Sequence, residues 1–169
     1  SFPTRLSSDL MGRNFGGISS RRTALRDLLK RVHEASGRKV SIIGWSLGGV
    51  YARDLASQMP ELVRSIVTLG SPFAEDIRAT NATRLYELLS GERVDDIPEV
   101  RAAIAGDMPV PTTSIYSRTD GIVNWRTSRV RPSERAENIE VHLASHLGLG
   151  VNPAALWAIR SEERRVGKE

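Results

Sequence analysis

The chain contains no cysteine, so neither a disulfide nor a thiolate metal site can form. It also lacks a long apolar run, and no stretch approaches the length that a membrane-spanning helix needs. The first five residues, Ser-Phe-Pro-Thr-Arg, are not followed by the apolar region of a secretory leader. These absences predict a protein without a transmembrane segment, and they favour the cytoplasm, where thiols stay reduced.

Aromatic residues make up only 5% of the chain, and none lies between the basic residues as a base-stacking surface requires. The formal net charge of +4 would suit a nucleic-acid partner, but acidic residues are mixed with the basic ones throughout. None of the three histidines pairs with another at metal-ligand spacing. The sequence therefore predicts no nucleic-acid binding, no metal and no cofactor. Its 169 residues, 40% of them hydrophobic, are enough for one domain with a buried core.

The most informative stretch is residues 44–49, Gly-Trp-Ser-Leu-Gly-Gly. Residues 39–45 are rich in β-branched and apolar side chains and predict a buried strand. Residues 47–59 predict a helix that Pro60 stops. A Gly-x-Ser-x-Gly turn between a strand and a helix is the setting of a nucleophile elbow, in which Ser46 is strained and held out at the end of the sheet.

The glycines of this turn have a steric purpose in that interpretation. Gly44 and Gly48 are expected to leave room where a Cβ would collide. The backbone N–H of Leu47, at the start of the helix, would then point at a developing oxyanion. Two alternatives remain open for the pattern alone, an ordinary glycine-rich turn and an anion-binding nest.

The rest of the chain alternates between strands and helices. Further strands are predicted at 65–69, 111–117 and 137–143, and further helices at 20–36 and 152–160. This order favours an α/β fold with a mostly parallel sheet of about four strands flanked by helices. Residues 73–109 carry two predicted helices that form either a cap over a substrate pocket or a plain crossover connection. Residues 160–169 lose the apolar pattern and are interpreted as a frayed helix end or a foreign tail.

Three polar residues each follow a predicted strand, namely Ser46, Asp120 and His146. Because the carboxyl ends of parallel strands meet at one edge of a sheet, these side chains are expected to converge. A serine hydroxyl needs a base within hydrogen-bond reach, and the base needs an acid to fix its tautomer. The three residues therefore form a candidate nucleophile, acid and base.

Other residues compete for two of these roles. The other candidate acids lie in the helical insert, away from a strand end: Asp76, Asp95, Asp96 and Asp107. The other candidate base, His142, falls inside the strand predicted at 137–143 and would point sideways, whereas His146 lies beyond that strand in a loop. Asp120 and His146 are the preferred assignments.

With these residues in place, the sequence resembles the α/β-hydrolases, and among them the bacterial lipases and esterases. The resemblance covers residues from about 38 to 158 and lies in four segments, 40–49 (VSIIGWSLGG), 69–73 (LGSPF), 116–123 (YSRTDGIV) and 145–149 (SHLGL). It implies that Ser46 is the nucleophile, His146 the general base and later the general acid, and Asp120 the residue that orients it. It also implies ester hydrolysis through an acyl-enzyme that water releases.

The chain departs from this family at its amino-terminal end. The family carries further strands ahead of the helix predicted at 20–36, and the loop after one of them supplies a second oxyanion N–H. Residues 1–159 are therefore interpreted as one α/β-hydrolase domain that lacks its amino-terminal strands, with a tail at 160–169. The strand at 39–45 is then expected at an open, apolar edge of the sheet.

The expected substrate is a small ester with an apolar acyl group. Trp45 beside the nucleophile, Phe73 and the helical insert suggest an apolar pocket for that group. Two alternative functions stay open. The same three residues serve acyltransferases and thioesterases, and a shortened domain can also be a non-catalytic fragment with a vestigial site.

Overall fold

The structure is a computed structural model that describes residues 18–73 and 105–166. Most of the predicted insert at 73–109, and with it the cap hypothesis, lies outside the described residues. The alternative acids Asp76, Asp95 and Asp96 lie outside them as well.

In the described part of the chain, four parallel strands form one sheet in sequence order. The strands are β1 (Val40–Trp45), β2 (Val63–Leu69), β3 (Thr112–Tyr116) and β4 (Ala136–Glu140). Each strand pairs with its neighbour along the chain, so every crossover returns the chain to an adjacent position. This confirms the prediction of a parallel α/β sheet of about four strands.

The helices that accompany the sheet are α1 (Ile18–Ser36), α2 (Leu47–Gln58), α3 (His146–Leu149) and α4 (Pro153–Val166). A short 3-10 turn, Trp125–Ser128, lies between β3 and β4. None of the helices in the described ranges is long and apolar enough to span a bilayer.

Two hydrophobic clusters hold the layers together. The first joins α1 and α2 to β2 and includes Ile66, and the second joins α3 and α4 to β2 and β3 and includes Val67. Successive side chains of a strand point to opposite faces of its sheet. The neighbours Ile66 and Val67 therefore face opposite sides, and helices cover both faces of the sheet.

The strand predicted at 137–143 is shorter in the structure, because β4 ends at Glu140. The N–H of Val141 still donates to the carbonyl of Tyr116 at 2.8 Å, but β3 ends there and offers no further partner. Leu143 then takes a left-handed conformation with φ of 55° and is 89% exposed. His142 consequently lies beyond the strand, not within it.

The last helix is longer than predicted. Helix α4 begins at Pro153, as expected, but continues to Val166 and does not end near residue 160. Glu162 is buried, and its Oε2 accepts a hydrogen bond from the Thr113 hydroxyl of β3 at 2.9 Å. Residues 161–166 thus continue the helix, and the predicted helix end near residue 160 was wrong.

Strand β1 lies at an edge of the described sheet, as predicted. It pairs with β2 on one side, and Ile43 in its middle is 49% exposed. The strand that carries the candidate nucleophile is therefore one of the two edge strands among the described residues.

Candidate active site

Ser46 occupies a strained turn between β1 and α2. Its φ of 53° and ψ of −123° are unusual for a residue with a side chain. Its N–H donates to the carbonyl of Leu69 at 2.9 Å, so the neighbouring strand fixes the strained backbone. Leu47 follows as the first residue of α2. The predicted strand, strained serine and helix are confirmed.

The steric prediction for the glycines is half right. A Cβ on Gly44 would overlap the carbonyl oxygen of Gly48, as expected for a strand and helix that pass so closely. A Cβ on Gly48 itself would meet nothing within 4 Å. The second crowded position is Gly49, where a Cβ would overlap the hydroxyl of Ser71 at the end of β2. The prediction for Gly48 was wrong. The residue that crowds this turn is Ser71, which follows β2 and is distant in sequence, and it lies against Gly49.

Asp120 and His146 meet directly. The Nδ1 of His146 lies 2.8 Å from Oδ2 of Asp120, and both side chains are almost fully buried. The backbone N–H of His146 also donates to the carbonyl of Asp120 at 2.9 Å. The loops that follow β3 and β4 thus hold the two residues together through both backbone and side chains.

The second oxygen of the Asp120 carboxylate is also occupied. Oδ1 accepts from the backbone N–H of Ile122 at 3.0 Å and of Val123 at 2.6 Å. An ionised carboxylate can only accept, so we assign the proton of the neutral imidazole of His146 to Nδ1. Its Nε2 is then the nitrogen that is able to take up a proton.

Gly70 is a site residue that sequence reasoning did not identify. It follows β2 with φ of 52°, and a Cβ there would lie 2.8 Å from Oδ2 of Asp120 and 3.3 Å from Nδ1 of His146. Only a glycine leaves space for the pair and tolerates this backbone conformation. The available signal was a glycine directly at the end of a central strand.

The two predicted pocket residues lie in different surroundings. Trp45 is 42% exposed, and its indole N–H donates to the backbone carbonyl of His146 at 3.1 Å. Phe73 is 1% exposed, and the guanidinium carbon of Arg53 lies 4.1 Å from its ring centroid. Burial lowers the pKa of Arg53 to about 10, against an opposing effect of Asp107, so the group remains cationic at neutral pH.

The structure brings two of the three candidates into contact and places Ser46 beside Trp45, which touches His146. Within the described residues, no hydrogen bond joins the Ser46 hydroxyl to that imidazole. Catalytic hydrogen bonds of this kind are often long before substrate binds. The side chain of the alternative base His142 is 82% exposed, and its Nδ1 lies 3.6 Å from Oε1 of Glu140.

The described residues also contain no group of three or more histidine, aspartate or glutamate side chains that could hold a metal ion. The three candidate side chains, a hydroxyl, an imidazole and a carboxylate, follow the carboxyl ends of β1, β4 and β3 respectively. A set of this composition is suited to proton transfer from a nucleophile.

Comparison with known sequences gives a partial match. No protein-family model matches the chain. The triacylglycerol lipases of Pseudarthrobacter phenanthrenivorans and Burkholderia plantarii are each 36% identical to it over 78 residues, or 41% of this chain. The match spans only 24% and 22% of the length of those two lipases.

Comparison with solved structures covers nearly the whole chain. The esterase domain of a Rhodothermus marinus protein has a TM-score of 0.61 at 22% identity, over 84% of this chain and 66% of that one. The mouse α/β-hydrolase domain-containing protein 10 has a TM-score of 0.62 at 16% identity, over 90% and 70%. A putative non-heme bromoperoxidase of Mycobacterium tuberculosis has a TM-score of 0.62 at 15% identity, over 95% and 78%. At these identities the likeness concerns the fold alone.

Proposed function

We propose that this chain, which has a partial α/β-hydrolase fold, hydrolyses carboxylic esters with Ser46 as its nucleophile. One observation carries the proposal, namely the buried hydrogen bond between Asp120 and His146 at the same sheet edge as the strained Ser46. A structural ion pair would not need a strained serine nearby. Strain of this kind collects at functional sites because the surrounding structure must hold it in place.

In the proposed reaction, the Ser46 hydroxyl attacks the ester carbonyl while Nε2 of His146 takes its proton. The Asp120 carboxylate stabilises the imidazolium that forms. The tetrahedral intermediate then collapses, the imidazolium gives its proton to the leaving alcohol, and the acyl group remains on Ser46. A water molecule then attacks the acyl group while Nε2 of His146 takes its proton. The imidazolium returns this proton to the Ser46 oxygen as the carboxylic acid is released.

The oxyanion of the intermediate needs donors that are aimed before the reaction begins. We assign one of them to the backbone N–H of Leu47, the first residue of α2. The positive end of the helix dipole adds to its effect. Loss of a single donor of this kind costs about 10²–10³ in turnover, so the rate of this chain depends strongly on whether a second one completes the site.

We further propose an ester with an apolar acyl group as the substrate. The support comes from the similarity to two triacylglycerol lipases. In an apolar site each buried methylene adds about 0.8 kcal/mol of binding free energy. p-Nitrophenyl esters of increasing chain length therefore report the acyl preference directly.

The test is covalent labelling of the purified chain with a fluorophosphonate, followed by mass spectrometry of the labelled peptide. We expect labelling of the wild type at Ser46 and none in Ser46→Ala. The matched control is Ser57→Ala, which removes a hydroxyl from α2, the helix that follows Ser46, and should label like the wild type. An unlabelled wild type, or a label on another serine, would refute the proposal.

Hydrolysis of p-nitrophenyl esters in the presence of a second acyl acceptor separates the alternative functions. In p-nitrophenyl ester solutions that also contain an alcohol or a thiol acceptor, a hydrolase produces the free acid. An acyltransferase produces the new ester or thioester. A folded chain that binds esters but releases no p-nitrophenol would be the non-catalytic fragment.

A further inference from the structure

The indole of Trp45 joins two parts of the site that are far apart in sequence. Its Nε1–H donates to the backbone carbonyl of His146, 101 residues further along the chain, at 3.1 Å. We propose that Trp45 is a positioning residue, which holds the imidazole of His146 in place relative to Ser46, and not a wall of the acyl pocket. This inference rests on the function proposed above.

The ring makes a second contact with the same segment. Its centroid lies 5.8 Å from that of the His146 imidazole, with an angle of 33° between the ring planes. A Cβ on Gly150, just after α3, would lie 3.7 Å from the indole, which therefore packs against the backbone there. The indole thus lies close to His146 at the start of α3 and to Gly150 just after its end.

The two sides of His146 are held differently. On the side of the acid, two hydrogen bonds attach it to Asp120. On the side of the nucleophile, the indole N–H makes the one hydrogen bond between residues 44–49 and residues 145–150, all of which are described. Trp45 therefore provides the polar link between the nucleophile turn and the base segment.

Because Trp45 directly precedes Ser46, the hydrogen bond from its indole connects the backbone beside the candidate nucleophile to His146. The backbone of Trp45 pairs with Leu69 of β2, and the next N–H, that of Ser46, donates to the Leu69 carbonyl. The indole thus projects from a rigid strand end. Helix α3 has only four residues and cannot be stable alone, so tertiary contacts must set its position.

Small displacements of a base are costly. A shift of about 1 Å in a reacting group can cost about 10²-fold in rate. Removal of the indole N–H leaves both hydrogen bonds to Asp120 in place, so a loss of about tenfold in kcat is expected. The loss should be the same for every ester, because the base acts on Ser46 in all of them.

The experiment compares Trp45→Phe with the matched control Trp157→Phe. Phenylalanine keeps an aromatic ring at position 45 but lacks the N–H, whereas Trp157 is 72% exposed on α4. We expect Trp45→Phe to lower kcat and the fluorophosphonate labelling rate about tenfold with p-nitrophenyl acetate and octanoate alike. KM should stay within about twofold, and Trp157→Phe should behave like the wild type.

Two outcomes would overturn the inference. An unchanged kcat in Trp45→Phe would show that the link does not position the base. A loss that grows with acyl chain length and appears in KM would make Trp45 a pocket wall. If the wild type itself is not labelled, the proposed function fails for a separate reason.

A second measurement needs neither a variant nor turnover. The indole N–H of Trp45 should exchange with deuterium more slowly than that of Trp157, because only the first is hydrogen-bonded to a backbone carbonyl in the described structure. Equal exchange rates for the two indoles in NMR spectra would refute the link even if Trp45→Phe fails to fold.

Discussion

At the scale of single residues, one carboxylate organises the candidate site. Asp120 accepts hydrogen bonds from the backbone of Ile122 and Val123 and from the imidazole of His146. All three donors are needed to fix a charged group that is almost fully buried. The turn after β3 therefore presents one oxygen of the carboxylate to the base.

Gly70 gives the sharpest test at this scale. We predict that Gly70→Ala lowers ester hydrolysis by about tenfold or more, since the new methyl group would lie 2.8 Å from Oδ2 of Asp120 and displace the pair. It should also lower the free energy of unfolding, because φ is 52° at this position. Hydrolysis rates and urea unfolding of the same samples measure both effects.

The control for this prediction is Gly37→Ala. Gly37 has a similar φ of 64°, but a Cβ there would meet nothing within 4 Å and it ends α1 away from the site. It should lose about 1–2 kcal/mol of stability and keep its hydrolytic rate. A similar loss of rate in both variants would mean that backbone strain, not contact with the Asp120–His146 pair, explains the effect of Gly70→Ala.

At the scale of elements, α4 shows how a polar sequence can still belong to the fold. Residues 160–166 carry charged side chains and no apolar stripe, yet the helix continues through them. This part of α4 is joined to the sheet by a polar contact, the hydrogen bond that the Thr113 hydroxyl of β3 donates to the buried Glu162. A search for apolar periodicity does not detect contacts of this kind.

We predict that ending the chain at residue 160 lowers the free energy of unfolding by about 1 kcal/mol, because the buried Thr113 hydroxyl loses its nearer acceptor, Glu162, and keeps only Oε1 of Glu137 at 3.4 Å. Ending it at residue 166 keeps the whole helix and is the matched control. Urea denaturation of the two shortened chains beside the full chain gives the difference. Equal stability of both shortened chains would contradict the role assigned to the last turns of α4.

At the scale of the whole molecule, the strands of the sheet differ in how many neighbouring strands they pair with. Strands β2 and β3 are paired on both sides, whereas β1 and β4 are the edge strands of the described sheet. Ile43 in β1 is 49% exposed. An apolar edge strand is a template for pairing with another chain, whereas the glutamates of β4, Glu137 and Glu140, disfavour such pairing. Of the two edges, β1 is therefore the one more open to association.

We predict that the isolated chain self-associates through β1 and that Ile43→Lys raises its monomer fraction, since a charge on an edge strand disfavours strand pairing. The control is Leu143→Lys, which adds the same charge at a residue that is 89% exposed but outside the sheet. Light scattering after size exclusion measures the masses. An equal gain from both substitutions would assign the association to charge or general apolar exposure and not to the edge.

The sequence by itself determined the features that depend on neighbouring residues. The strained turn at Ser46, the strands and the start of α4 at Pro153 follow from local patterns of apolar residues, glycine and proline. The choice of Asp120 and His146 also came from sequence, because the carboxyl ends of parallel strands meet at one edge.

Only the tertiary structure decided which distant residues touch. It placed Gly70 against the Asp120–His146 pair, replaced Gly48 by Gly49 as the crowded glycine, and brought the indole of Trp45 to His146. Each of these contacts joins segments that are separated by at least one whole element. Their distances are set by how strands and helices pack, and no short stretch of sequence contains that information.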